Sequence, residues 1–216
     1  MSSQTVEHLV LFRVKPNTHP SKIDDMISGL NSLSSLPSVV YMTAVPISRS
    51  QSHPFNFTHV VHGRFKTKSD LDSYAAHRAH RKVAKLSFLP ICDEYLIADW
   101  VSEIDGPAVP RPGSTLRITL LKPKEGLGDG SKKQILNVVG GIRNSFPEID
   151  QVSFGENFST IGHNGFTVGS ISIFSGPKEI DVLDSTVEMQ KVKARALVES
   201  VVVVDYEIPP LAPSKL

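Results

Sequence analysis

The chain has 216 residues, 40% of them hydrophobic and 21% charged, an ordinary balance for a soluble globular protein and enough length for one large domain or two of about 100 residues. A formal net charge of +1 leaves no broad basic field, so nucleic acid is not an expected partner. The single cysteine, Cys92, excludes an intramolecular disulfide and a multi-cysteine metal site, and is read as a small buried hydrophobe.

At the N-terminus, MSSQTVEHLVLF has no basic stretch followed by an apolar run, so no secretory signal is read. No segment approaches the ~18 apolar residues a bilayer span needs, and no membrane is expected as a partner. Val6 to Lys15, rich in β-branched and large apolar residues, predicts a strand. Pro20 then opens a segment where Ile23, Met26, Ile27, Leu30 and Leu33 recur at helical spacing. Ser38 to Ile47 and Phe57 to Lys66 are strands, separated by a polar turn with Ser50, Ser52, His53 and Pro54. Thr67 to Asp70 has the form of a capping box, with Asp in place of Glu, and starts a second helix; Asp93 to Val101 is the last strand.

After IDGPAVPRPG (Ile104 to Gly113), a proline- and glycine-rich linker, the same order returns. The elements are Thr115 to Lys122, Ser131 to Ser145, Ile149 to Gly155, Phe166 to Phe174, Pro177 to Ala196 and Val198 to Glu207. Three local matches support a tandem duplication: VEHLVLFRVKP with STLRITLLKP, LDSY with LDST, and EYLIADW with VVVVDY. They are spaced by 106 to 112 positions and occur in the same order. Residues 1–103 and 114–207 are thus two domains, 104–113 the linker and 208–216 a tail. Each domain reads β-α-β-β-α-β, so the fold class is α+β, two tandem ferredoxin-like units with helices on one sheet face. Alternation in the first strand puts Val6, His8, Val10, Phe12 and Val14 on one side and Glu7, Leu9, Leu11 and Arg13 on the other. Both sides carry large apolar groups, which calls for a second sheet packed on the first, from the other half of the chain or from a homodimer partner.

HLVLFRVK, FTHVVHGRF, LDSYAAHRAH and EYLIADW together resemble the stress-responsive dimeric A/B barrel proteins of plants. The resemblance covers residues 6–103 well and 114–207 in element order. It implies paired plaits forming a barrel, a small apolar cavity in each, and a role in stress or defence. It also allows a loosely held magnesium-type ion; by spacing alone no metal site and no other cofactor is expected. Plant polyketide cyclases of this family, which perform an intramolecular aldol condensation, place two strand histidines and a helix tyrosine and histidine in their site. The matching positions here are His8, His59, Tyr74 and His80. His77 matches the first histidine of the family's His-Pro-x-His segment, and Arg78 stands where the family has proline, which in relatives would break the helix.

Geometry bears on the same residues. On a straight helix at about 100° per residue, Tyr74, His77 and His80 step round by ~60° each. This leaves Tyr74 at the edge of the apolar stripe and His77 nearly opposite it. A bend near Ala79 would turn His80 inward. The expected function is binding of a small apolar ligand in the first-domain cavity, with His8, His59 and His77 as ligand-binding residues. An enzymatic alternative uses Tyr74 and His80 as donor and base for enolate chemistry. A third reading is a heat-stable antifungal or scaffold protein acting through its surface. The second half aligns Thr186, Met189 and Val192 with Tyr74, His77 and His80, and Leu116 or Arg117 with His8, so it lacks this apparatus.

The sequence ends Ser214-Lys215-Leu216 after Pro209, Pro210 and Pro213, which matches the address read by the peroxisomal import receptor and predicts the peroxisomal matrix. Deleting Leu216 from a fluorescent reporter fusion is expected to leave the reporter outside peroxisomes; import that continues unchanged would sink this targeting.

Overall fold

The computed structural model describes residues 2–52, 55–126, 129–186 and 196–209, with the backbone alone at 129 and 182–186. His53, Pro54, Met189, Val192 and the Ser214-Lys215-Leu216 tail lie outside the described residues.

In the first half β1 (Ser2–Val14), α1 (Pro20–Ser32), β2 (Tyr41–Pro46), a short β3 (Arg49–Ser50), β4 (His59–Phe65), α2 (Lys68–Ala76), α3 (Arg78–Val83) and β5 (Cys92–Asp105) follow in order. The second half comprises β6 (Thr115–Pro123), α4 (Asp129–Gly140), α5 (Ile142–Ser145), β7 (Ile149–Glu156), β8 (Val168–Phe174), α6 (Pro177–Thr186) and β9 (Val198–Glu207). The sheets run β2-β4-β1-β5 and β3-β9-β6-β8-β7, the same ferredoxin-like order twice, with β3 of the first half added to the edge of the second sheet. Two expected elements differ in extent. β5 runs through Ile104 and Asp105, read as linker, because β1 starts as early as Ser2 and pairs with it there. The single helix expected after Thr67 is two helices, interrupted at His77.

Period-two alternation decides what each strand face meets. Leu9, Leu11, Leu96, Ala98 and Trp100 point at the second sheet, where Leu116, Ile118, Leu120, Ile171, Val202, Val204 and Tyr206 meet them in one buried core. Val6, Phe12 and Phe65 turn to the helices and pack on Met26, Leu30, Leu71 and Tyr74. Both sheets of the barrel therefore come from one chain. The backbone is exchanged as well as the side chains. Ser48 N and Gln51 N donate to the carbonyls of Asp205 and Val203 on β9. In the reverse direction Phe158 N donates to Asp99 O, and Ile97 N to Gly162 O, along β5.

One charged cluster lies inside the barrel. Glu7, His62 and Arg64 have fully buried side chains. His62 Nε2 donates to Glu7 Oε2 at 2.7 Å, Arg64 Nε donates to Glu7 Oε1 at 3.0 Å, and Arg64 Nη1 caps the linker carbonyl of Ala108 at 3.0 Å. The hydroxyl of Tyr206, from the second half, donates to His62 Nδ1. Burial alone would raise the Glu7 carboxyl, but the charges and hydrogen bonds of Arg64 and His62 outweigh it and bring it down to about 2. Burial keeps the His62 imidazole below its ordinary range.

Both shifts act in one direction. Unfolded, Glu7 and His62 take up protons at higher pH than they do when folded, so stability is full above about pH 6.5 and falls as pH drops through the ordinary histidine and carboxylate ranges. Glu7→Gln leaves Arg64 without its charge partner in the barrel and is expected to cost about 3–5 kcal/mol. Chemical denaturation at pH 7 and at pH 4 checks it: the variant should be the weaker at pH 7, and should lose the part of the pH difference that Glu7 supplies while keeping the part that His62 supplies.

Candidate functional site

The first-half cavity lies between the helix-facing side of the sheet and α2, α3 and the turn after them, with a volume of about 500 Å³. That is within the range of small-molecule sites. Its wall is mostly apolar, with Val10, Leu30, Val61, Leu71 and Phe88 among the lining residues. The polar groups are His8, Asp72, Tyr74, His80, Asp99, Ser159 and Thr160.

β1 delivers His8 and β5 delivers Asp99, and antiparallel register sets them opposite each other. His8 Nδ1 donates to Asp99 Oδ1 at 2.6 Å. Side-chain exposures of 12% and 11% leave this pair touching the cavity yet largely withdrawn from water. The Asp99 backbone is fixed from the second half, since its N–H donates to Asn157 Oδ1 at 2.8 Å.

α2 delivers Tyr74, 2% exposed, from the helix face that also buries Leu71. Its ring lies 5.9 Å from that of His8 and 4.6 Å from that of His80. Burial pushes the phenol well above its ordinary range, so Tyr74 is a neutral hydroxyl donor at neutral pH.

His80 reaches the cavity because the helix stops at His77. That residue has extended backbone (φ −67°, ψ 138°), ends α2 and caps α3, its Nδ1 accepting from Ala79 N at 3.1 Å. Proline forces the residue before it into extended backbone and suits a helix's first position. Here the histidine's own cap holds the same break with Arg78 at that first position. The expected bend near Ala79 is therefore two residues earlier. A five-residue π-helical turn, Ala84–Phe88, continues α3 and lets Ala84 and Phe88 line the cavity. His80 Nδ1 lies 3.1 Å from the Ala75 carbonyl. A carbonyl only accepts, so Nδ1 carries the proton and Nε2 keeps its lone pair. Burial first, and the neighbouring His8 and Arg81 charges after it, lower the His80 imidazole against the opposing Ala75 bond, leaving it neutral at pH 7.

Of the five expected site residues, the cavity collects His8, Tyr74 and His80. His59 stands opposite Phe12, four residues along β1 from His8 and so about 13 Å away. Its ring stacks on Phe12 at 5.4 Å and its Nδ1 bonds the Thr58 hydroxyl, outside the cavity wall. His77 is exposed and committed to its cap. Sequence reading missed Asp99, a carboxylate at the end of the apolar run in EYLIADW, and the whole contribution of residues 157–161. For the magnesium-type ion, Asp70 is used by the Thr67 cap, and no cluster of three His, Cys, Asp or Glu side chains placed for a metal occurs among the described residues.

The second half has the same strand positions with different chemistry. Arg117 and Asp205 pair at the register of His8 and Asp99, with Arg117 Nε 2.8 Å from Asp205 Oδ1. Val168 stands at the register of His59. A guanidinium–carboxylate fork replaces the imidazole–carboxylate pair and leaves no ring nitrogen to exchange protons.

Comparison with known proteins agrees with this doubled architecture. The family model of the stress responsive A/B barrel domain matches residues 6–102 and again 116–208. One stress-response A/B barrel domain-containing protein of Arabidopsis thaliana is 42% identical, covering 96% of this chain and 80% of that protein. A second such protein of the same plant is 37% identical over 96% of this chain and 98% of its own length. The solved structure of a candidate monooxygenase from Fusobacterium nucleatum superposes over the full length of both chains with a TM-score of 0.61 at 12% identity, a likeness of fold. The chain belongs to the stress-responsive A/B barrel domain family and carries two tandem copies of its domain.

Proposed function

We propose that the first half binds a small, largely apolar ligand bearing one carbonyl or hydroxyl group, and that this is the protein's contribution to the stress response of its family. The observation that carries the reading is the pairing of a buried, neutral Tyr74 hydroxyl with an unprotonated His80 nitrogen on a mostly apolar wall. A donor and an acceptor side by side orient one polar group, and the wall takes up the rest by the hydrophobic effect. Residence in the peroxisomal matrix belongs to the same proposal and rests on Ser214, Lys215 and Leu216 alone.

A second reading, enolate chemistry, is favoured by the tautomer of His80. Its Nε2 would take a proton from the carbon next to the ligand's carbonyl while Tyr74 donates a hydrogen bond to the carbonyl oxygen, where the electron pair collects. Asp99 holds His8 beside that oxygen-binding corner. This is the first step of an aldol closure of the kind performed by cyclases.

Calorimetric titration with 2-heptanone distinguishes the cases. Tyr74→Phe is expected to weaken binding about tenfold, the worth of one buried hydrogen bond; equal affinities would overturn the binding reading. For the second reading, exchange of the ketone's α-protons in deuterated water should rise with pH through a point below the ordinary imidazole value of 6.5 and level off by neutrality. His80→Ala should abolish the rise. Binding without exchange would confine the protein to the first reading.

A further inference from the structure

We infer that ligand selection in the first-half cavity is made by the second half, through Phe158 and Ile161, and that what they select is the unbranched apolar tail of a neutral carbonyl compound. The inference rests on the cavity being a ligand site, as proposed above.

Residues 157–162 form a strap stitched along β5 beside the His8–Asp99 pair. Asn157 Oδ1 accepts from Asp99 N, Phe158 N donates to Asp99 O at 2.8 Å, and Gly162 O accepts from Ile97 N at 3.0 Å. Gly162 has φ +65°, a backbone conformation that favours glycine, and a Cβ there would stand 3.2 Å from side-chain atoms of both Ile97 and Tyr95. Phe158 packs against the helix-side core of the first half, with Lys68 Nζ 4.0 Å from its ring centroid. Phe158 through Ile161 thus form a wall of a cavity whose histidines, aspartates and buried tyrosine lie in the other half.

The mouth of that cavity carries exposed apolar side chains: Leu89 at 54%, Tyr95 at 44% and Ile161 at 66%. All three belong to the cavity lining. An apolar chain leaving the cavity would cover them, and burial of both surfaces would favour it. The inner end sets the head group. Tyr74 offers a neutral donor, and among the described residues the cavity lining holds no lysine or arginine to pair a carboxylate, so an uncharged carbonyl suits the inner end.

The reciprocal strap shows that the backbone arrangement and its side chains serve different ends. Ser48 to Ser52 of the first half bonds to β9 at the equivalent registers, with Ser48 N on Asp205 O and Ser52 Oγ on Val203 O. It delivers Arg49, whose Nη2 donates to Asp181 at 2.7 Å and whose Nε lies 3.9 Å from Asp205. One strap brings charge to a charged pair; the other brings an aromatic and an aliphatic side chain to an apolar cavity.

The test titrates the full-length protein, Phe158→Ala and Ile161→Ser with straight-chain 2-alkanones from 2-pentanone to 2-tridecanone. For the unaltered protein, affinity should rise about fourfold per methylene and flatten once the tail has passed the strap. Ile161→Ser should weaken the long ketones fivefold or more and leave the short ones within twofold. Phe158→Ala should move the flattening to longer tails. Chain-length profiles identical in all three proteins overturn this inference; if Tyr74→Phe still weakens every ketone, the binding proposal survives it. If the unaltered protein binds no ketone, both fall. Ile161 is exposed, so its variant decides the matter alone if Phe158→Ala does not fold.

Discussion

Each sheet in this chain has two apolar faces, and a single helix layer can cover only one of them. β1 shows the problem in one strand: Val6 and Phe12 need the helices, while Leu9 and Leu11 need something else. The second sheet is that something, and most of the architecture follows from bringing it there. Trp100 is the largest fully buried side chain, and it sits between the layers with its indole N–H donating to Ser153 Oγ at 3.1 Å. Room for it comes from the opposite half. A Cβ at Gly169 would lie 2.6 Å from the indole ring, and one at Gly155 would lie 2.7 Å from the Val101 carbonyl. Native interiors are packed too closely to absorb such overlaps, so the two glycines are as much part of the interface as the tryptophan.

Given that common frame, the halves differ by substitution at matched registers. Inside the barrel, Glu7, His62 and Arg64 stand where the second half has Leu116, Ile171 and Ile173. Charged residues on one inner face and aliphatic ones on the other make the two sheets unequal partners. The cluster reaches across to Tyr206 and down to the Ala108 carbonyl, so two of its hydrogen bonds form only with the second half and the linker in place. A buried ion pair adds little net stability over an apolar replacement. It is, however, costly to leave half made, and this favours the arrangement that completes it.

Much of the fold was open to sequence reading because duplication doubles the signal. A strand or helix that is ambiguous once becomes readable when the same order recurs about a hundred residues later, and large apolar residues on both faces of β1 already called for a second layer. The site was readable only in part. Tyr74 and His80 sit in a motif, and His8 shares a face with apolar neighbours. Asp99 could be valued only once β1 and β5 were set in register, since its importance is that it faces His8. His59 was misplaced for the same reason: sharing a sheet face with cavity residues says nothing about distance along the strand. The strap at 157–161 carries no motif at all, and its place beside the cavity follows from the exchange between halves, a tertiary event without local sequence expression.

The helix break at His77 illustrates how a conformation can outlive the residue that usually imposes it. A proline after His77 would force extended backbone on it by steric clash. In this chain the break is held by satisfied hydrogen bonds instead. His77 N donates to the Tyr74 carbonyl to close α2, its imidazole accepts from Ala79 N to open α3, and the Arg81 guanidinium donates to the freed Ala76 carbonyl at 2.6 Å. His80 takes up the Ala75 carbonyl in the same way. The bond that sets the His80 tautomer is therefore one of the bonds that repair the broken helix. His77 touches no ligand in this arrangement, yet the break it caps is what presents the His80 ring to Tyr74. A single helix through this segment would leave the Ala75 and Ala76 carbonyls to their normal backbone donors and carry His80 round the axis, away from the cavity.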